Sequence, residues 1–243
     1  MKRYLLVDIS NSYTKAAVAS GGKIGRVHRF PTPALDSVQI RRAAGSKPLD
    51  GVVLASVVPK KNRAVLGAFP KALVVGPGCK MGIGIDYPDP AAIGADRLAN
   101  AAGCVAFHGA PAIVVDFGTA VTFDVVSADS KYIGGVIAPG LGAMTGYLHE
   151  RTALLPNITL REPRSAVGRS TRDAMLSGAV HGYRGLVKEI AARISAEAFP
   201  RKKPLLVATG GDAALIAGKV PIFDTVDPLL TLRGLLAIAQ KNL

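Results

Sequence analysis

The chain has 243 residues, enough for one large domain or two of ordinary size, and its apolar fraction of 49% is ample for a core. A formal net charge of +13 and a pI near 10.0 fit either a nucleic-acid binder or a basic surface around an anionic substrate. Aromatic residues make up only 5%, and no helix-turn-helix or RNP pattern occurs, which argues against nucleic acid.

No apolar run approaches the roughly 18 residues of a membrane span. The stretch after Met1-Lys2-Arg3 breaks at Asp8, too early for a signal peptide, so a cytoplasmic protein with no membrane association is expected. In that compartment Cys79 and Cys104 are expected to be reduced.

In chain order, residues 3–9 read as a strand and 15–20 as its antiparallel return, with Gly21-Gly22 as the next turn and 24–29 as a third strand. A helix over 34–44, a parallel strand over 49–58, a short helix over 62–69 and a strand over 72–75 follow. Strands that give way to alternating helix and strand indicate an α/β fold. Residues 76–90 are rich in Gly and Pro and form a long connection, a candidate functional loop. A helix over 96–108 ends at Gly109-Ala110-Pro111, where the domain boundary is placed: 1–108 and 109–243.

The second half opens on two strands over 113–126, joined at Asp116-Phe117-Gly118-Thr119, then a glycine-bracketed strand over 134–140 and a helix over 141–154. A polar loop spans 156–168. Ser170 with Asp173 forms a capping pattern that opens the longest helix, 171–198, with Leu176, Val180, Tyr183 and Val187 on its apolar stripe. A strand over 205–208 runs into Thr209-Gly210-Gly211-Asp212, and a last helix spans 228–241.

The chain states one local pattern twice. Leu5-Leu6-Val7-Asp8-Ile9-Ser10-Asn11 and Val114-Val115-Asp116-Phe117-Gly118-Thr119 are each a buried strand whose aspartate opens a small polar turn; Asp8 matches Asp116, Ser10 matches Gly118 and Asn11 matches Thr119. Such turns offer backbone N–H groups to a phosphate or oxygens to a cation. Two in separate halves suggest a duplicated fold with two phosphate loops. Neither a Walker A pattern nor G-x-G-x-x-G is present, and the four histidines share no ligand spacing. Singly each motif is ambiguous: Asp96 would serve equally as a helix N-cap, and Gly210-Gly211 as a plain turn or as a place of close backbone approach.

In combination, Asp8 to Ser12, Tyr87-Pro88, Gly94-Ala95-Asp96-Arg97, Asp116 to Ala120, Gly134 to Gly140, Thr152 to Pro156, Gly168 to Thr171, Thr209-Gly210-Gly211 and Asp227 to Leu232 resemble the type III pantothenate kinases, of the acetate-and-sugar-kinase/Hsc70/actin superfamily. The resemblance spans nearly the whole chain. It implies two ribonuclease-H-like, actin-like ATPase domains with the active site in the cleft between them. The activity it implies is ATP-dependent phosphorylation of pantothenate to 4'-phosphopantothenate, the first step towards coenzyme A.

By the same resemblance, Asp8, Ile9, Ser10, Asn11, Ser12, Tyr13, Thr14 and Lys15 cradle the ATP phosphates with Mg²⁺ nearby, and Thr119 also touches ATP. Asp116 holds a monovalent cation, K⁺ or NH₄⁺. Tyr87, Gly94, Ala95, Asp96, Arg97 and Thr171 line the pantothenate site, with Asp96 as proton acceptor. Arg97 would hold either the substrate carboxylate or the moving phosphoryl group. A homodimer with substrate near the subunit interface is implied as well.

One departure stands out: Ser10 occupies a position where the family usually has glycine. If that position needs positive φ or close approach of a phosphate, serine costs about 1 kcal/mol, so weaker ATP use is expected and Ser10→Gly should lower the KM for ATP. Two alternatives remain. One is a relative acting on another small hydroxylated acid. The other is a family member with little kinase activity, serving as a regulatory or nucleic-acid-binding accessory protein. Ser10 and the basic charge favour the latter; retention of Asp8, Asp96, Asp116 and Thr119 opposes it.

Overall fold

The computed structural model describes all residues from Met1 to Leu243. The elements are β1 (Arg3–Ile9), β2 (Tyr13–Ser20), β3 (Lys23–Ile24), β4 (His28–Pro31), α1 (Ser37–Ala44), β5 (Gly51–Ser56), α2 (Asn62–Leu66), β6 (Leu73–Val74), β7 (Gly84–Ile85) and α3 (Ala95–Phe107). They continue as β8 (Ala112–Phe117), β9 (Ala120–Val126), β10 (Lys131–Pro139), α4 (Leu141–Arg151), α5 (Thr171–Ala198), β11 (Leu205–Gly210), α6 (Ala213–Ile216), β12 (Thr225–Val226) and α7 (Leu230–Asn242). The chain forms two compact units. One holds Met1–Ala110, Val126–Gly134 and Leu229–Leu243; the other holds Pro111–Val125 and Gly135–Pro228.

In the first unit the sheet runs β3-β2-β1-β5-β6, with β4 also paired to β2. β1 is central: it is antiparallel to β2, with Asp8 opposite Lys15, and parallel to β5, with Asp8 opposite Ala55. Both of its faces are covered, which is why Leu5, Leu6, Val7 and Ile9 are all fully buried and the strand reads as one apolar run. Leu5, Val7, Ile9, Leu54, Ile40 and Val65 form one core cluster with α1 and α2. α7 packs on β1 and β5 and against α3, and the two helices meet at Gly103 and Gly234, where a methyl group on Gly234 would overlap the Ala99 carbonyl.

The second unit has the order β12-β11-β8-β9-β10, with β8 parallel to β11 and Asp116 opposite Thr209. Its core joins Ile113, Val115, Phe117, Val121 and Phe123 to Leu176, Val180, Tyr183 and Val187 of α5. The stripe expected on that helix is therefore its buried face. Ser170 caps the helix as expected: its Oγ accepts the Asp173 N–H at 3.1 Å. The loop before it is held by Arg184, which donates to both Glu162 oxygens at 3.0 and 2.6 Å and to the Leu215 carbonyl at 2.7 Å.

Several boundaries differ from expectation for local reasons. The helix expected over 34–44 starts at Ser37, because Asp36 and Gln39 form a reciprocal capping box at 2.8 and 3.2 Å and residues 32–34 form a separate tight turn. The third strand divides into β3 and β4, and Pro31 lies inside β4 on a sheet edge, where a missing N–H is tolerated. α3 is capped at Gly94, so Asp96 is not its N-cap but lies within its first turn.

Candidate active site

Asp8 is the penultimate residue of β1, which places its carboxylate at the mouth of the turn Ser10–Ser12. It is 3% exposed, and Oδ1 accepts a hydrogen bond from Ser10 Oγ at 3.2 Å. Directly opposed residues of paired strands share a sheet face, so Asp8, Lys15 and Arg29 form a charged row across β1, β2 and β4. The Arg29 guanidinium also lies 3.6 Å above the Tyr13 ring, a cation–π contact that brings a second positive charge beside the turn. Asn11, Ser12 and Tyr13 are exposed, whereas the side chains of Ile9 and Thr14 are fully buried. Only backbone groups of those two residues can therefore face a ligand.

Ser10 is not strained. The only non-glycine residue with positive φ is Ser130. The backbone cost expected from serine at this position is therefore absent, and with it that ground for weaker ATP use.

The same unit carries the Asp96 region. The Val57 N–H donates to the Ile9 carbonyl at 3.0 Å, so the segment after β5 is fastened to the end of β1. Val57 Cγ1 in turn lies 3.5 Å from where a side chain on Gly94 would begin, and Asp96 Oδ1 lies 2.7 Å from that point. A side chain at residue 94 would therefore displace the Asp96 carboxylate, and the start of α3 lies near the end of β1. Asp96 Oδ1 accepts the Arg97 N–H at 2.8 Å, in a first helical turn that favours negative charge.

Tyr87 and Arg97 converge on Tyr132, which is fully buried. The Tyr87 ring meets it edge-on at 6.0 Å, and the Arg97 guanidinium lies 5.7 Å from its centre. The 76–90 segment is tied down on both sides of Gly82. Lys80 exchanges two backbone hydrogen bonds with the Asn242 side chain at 3.0 and 2.8 Å, and β7 pairs with Lys131 and Tyr132.

In the second unit Asp116 is again the penultimate residue of its strand, half-buried, with Gly118 and Thr119 exposed in the turn. The Gly118 N–H closes the turn on the Ala120 carbonyl at 3.1 Å, and the Gly140 N–H donates to the Thr119 carbonyl at 3.1 Å. Gly210 has φ +97°, and a Cβ there would stand 2.5 Å from Asp116 Oδ1, the Phe117 N and the Phe117 carbonyl oxygen alike. A carboxylate at such a turn offers oxygen, the donor that hard cations take. Thr171 is exposed at the first position of α5. Burial pushes the Tyr183 phenol well above its ordinary range, with the Asp212 charge adding to the effect, and its hydroxyl donates to the Pro139 carbonyl at 3.2 Å.

The family model for type III pantothenate kinase matches residues 4–193. The chain is 48% identical over 242 residues to the type III pantothenate kinase of Akkermansia muciniphila, covering 99% of both chains. The chain belongs to the type III pantothenate kinase family. It is also 43% identical over 237 residues to the type III pantothenate kinase of Methylacidiphilum infernorum, covering 97% of this chain and 88% of the relative. An archaeal actin homolog of solved structure has a TM-score of 0.57 at 10% identity, covering 98% of this chain and 99% of its own, a likeness of fold alone. The two mixed sheets and this likeness establish the actin-like α/β fold expected for the family.

Within this kinase fold, all the residues implied by the family motifs except Thr171, at the first position of α5, fall into three local groups. Asp8 to Lys15 form one turn. Tyr87, Gly94, Ala95, Asp96 and Arg97 gather in the same unit, and Asp116 and Thr119 form the second turn. Three supporting residues escaped the sequence reading. Tyr132 falls outside the strands expected over 113–126 and 134–140, and Thr32 lies between two prolines with no motif around it. The role of Gly210 was visible only as one of two readings of Thr-Gly-Gly.

Proposed function

We propose that the chain phosphorylates the primary hydroxyl of pantothenate with ATP, yielding 4'-phosphopantothenate for coenzyme A synthesis in the cytoplasm. The observation that carries this assignment of residues is the Asp96 carboxylate, set at the start of α3 where Gly94 lies near Val57, whose N–H is bonded to the end of the Asp8 strand. Backbone N–H groups of the Ser10–Ser12 turn, with Lys15, hold the phosphates, and Thr119 contacts ATP. Tyr87, Gly94, Ala95, Arg97 and Thr171 bind pantothenate, with Arg97 holding its carboxylate. Asp96 accepts the hydroxyl proton as the oxygen forms its bond to the γ-phosphorus and the bond to the ADP oxygen breaks.

The donor sets fit the implied ions: the Asp8 carboxylate would hold Mg²⁺ and Asp116 the K⁺ or NH₄⁺. When bound, such ions neutralise charge on the phosphoryl oxygens. The homodimer is supported by the outer face of α4, where Met144, Tyr147 and Leu148 are exposed together, 38%, 62% and 40%.

The test is pantothenate-dependent ATP turnover with Mg²⁺ and either K⁺ or Na⁺, beside Asp96→Asn. Turnover that requires K⁺ and is lost in the variant is the expected result. Undiminished turnover in Asp96→Asn would remove the proton acceptor from this scheme.

A further inference from the structure

Thr14 and Thr32 face each other behind the first turn, 0% and 2% exposed, with their hydroxyl oxygens 3.0 Å apart. Thr32 Oγ1 donates to the Ser10 carbonyl at 2.7 Å. A threonine hydroxyl has one proton, so that of Thr32 is committed to Ser10, and the proton between the two threonines belongs to Thr14. The Thr32 backbone N–H donates to the Ser12 carbonyl at 3.0 Å. One buried residue thereby grips the carbonyls on both sides of Asn11. The turn's own closing bond, from the Ser10 N–H to the Tyr13 carbonyl, is long at 3.3 Å.

A peptide unit is planar, and in its trans form the N–H points away from the C=O. Drawing the Ser10 and Ser12 carbonyls inward onto Thr32 therefore turns the N–H groups of Asn11 and Tyr13 outward, to the exposed side of the turn. Ser10 extends the chain of contacts by donating its hydroxyl to Asp8 Oδ1 at 3.2 Å. The order is Thr14 to Thr32 to Ser10 to Asp8.

We propose that Thr32 is a positioning residue for the nucleotide-phosphate turn and that Ser10 relays its hold to the Asp8 carboxylate. The proposal rests on the reading of Asp8 to Lys15 as the ATP site. Thr32 touches no substrate. It acts by pre-setting the N–H groups that meet the phosphates, so that nucleotide binding need not order them. The serine in the place of the family glycine is then a working part of the turn.

The experiment uses the full chain with Thr32→Val, which keeps shape and burial but loses the hydroxyl, and Thr32→Ser, which keeps the hydroxyl. Both the KM values and the Kd of ATP–Mg²⁺ by titration calorimetry are measured. Thr32→Val should weaken the Kd and KM for ATP by about tenfold, as expected for a buried hydroxyl network broken at its centre. The KM for pantothenate should stay within about twofold, and Thr32→Ser should restore ATP binding. Equal changes in both KM values, or no recovery in Thr32→Ser, would overturn the proposal.

If Thr32→Val fails to fold, Ser10→Ala decides. A rise of about threefold in the ATP–Mg²⁺ Kd upholds the relay, and an unchanged Kd sinks it. Absence of pantothenate-dependent turnover in the unaltered chain would instead count against the proposed function, and the calorimetric Kd values would still judge the latch.

Discussion

Replacing Gly210 with alanine should disable the second turn without touching the first. Gly210 has φ +97°, and the added methyl would stand 2.5 Å from Asp116 Oδ1 and from the Phe117 N and O. Phe117 is 1% exposed and held in register opposite Gly210, so its backbone has little room to retreat. The methyl would therefore bear on the half-buried Asp116 carboxylate and displace it from its present position. The backbone conformation costs about 1 kcal/mol and the crowding about 1–3 kcal/mol, together roughly 2–4 kcal/mol. For a chain of this length that corresponds to a Tm lower by roughly 5–15 °C. Gly211→Ala is the matched control, since no heavy atom lies within 4 Å of its added methyl.

The assay is thermal melting of both variants, followed by K⁺ titration of turnover. Gly210→Ala should melt early and need more K⁺, while Gly211→Ala should track the unaltered chain on both counts. Equal melting of the two variants would refute the cradle around Asp116, as would an unchanged K⁺ requirement in Gly210→Ala.

Tyr132→Leu removes the buried ring on which Tyr87 and Arg97 converge, and should raise the KM for pantothenate several-fold while leaving that for ATP unchanged; parallel rises would assign Tyr132 to general stability. Glu162→Gln tests the anchor of the 156–168 loop by pH. The Arg184 guanidinium holds the Glu162 carboxyl below its ordinary 4.5, so its contribution is full above that pH and is lost as pH falls through the lower folded-state value. The variant should therefore be less stable than the unaltered chain to urea at neutral pH, with the difference closing in acid; a gap that persists at low pH would refute the ionic origin.

Much of this was legible because the signals are local. An apolar run ending in Asp, then a small polar turn, then a second apolar run, permits little besides a strand pair with a carboxylate at its mouth, and both copies fold that way. The stripe of α5 and its Ser170 cap are equally local. The details that sequence does not carry are contacts between distant residues. α7 is coded last yet packs on β1 and β5, because a chain can return to an earlier unit without any local mark. Ser10 is a similar case: whether its position takes a positive φ, and that Thr32, 22 residues away, donates to its carbonyl, are not written in the local sequence.

The two turns also show how a duplicated unit diverges. Each aspartate is penultimate in a central strand that has a hairpin partner on one side and a parallel strand on the other, β5 for Asp8 and β11 for Asp116. From that shared start the solutions differ. The first turn is three residues long and held from behind by threonine hydroxyls, an arrangement that leaves N–H groups facing outward and suits an anion. The second is two residues long, closed on itself by Gly118, and flanked by Gly140, which lies against the Gly118 and Thr119 carbonyls, and by Gly210, which lies against the Asp116 carboxylate. That arrangement suits a cation. Serine at position 10 and glycine at position 118 are matched in the repeat but not interchangeable. Glycine at position 10 would remove the hydroxyl that braces Asp8, and serine at position 118 would set its Cβ 3.3 Å from the Ala120 carbonyl that closes the turn.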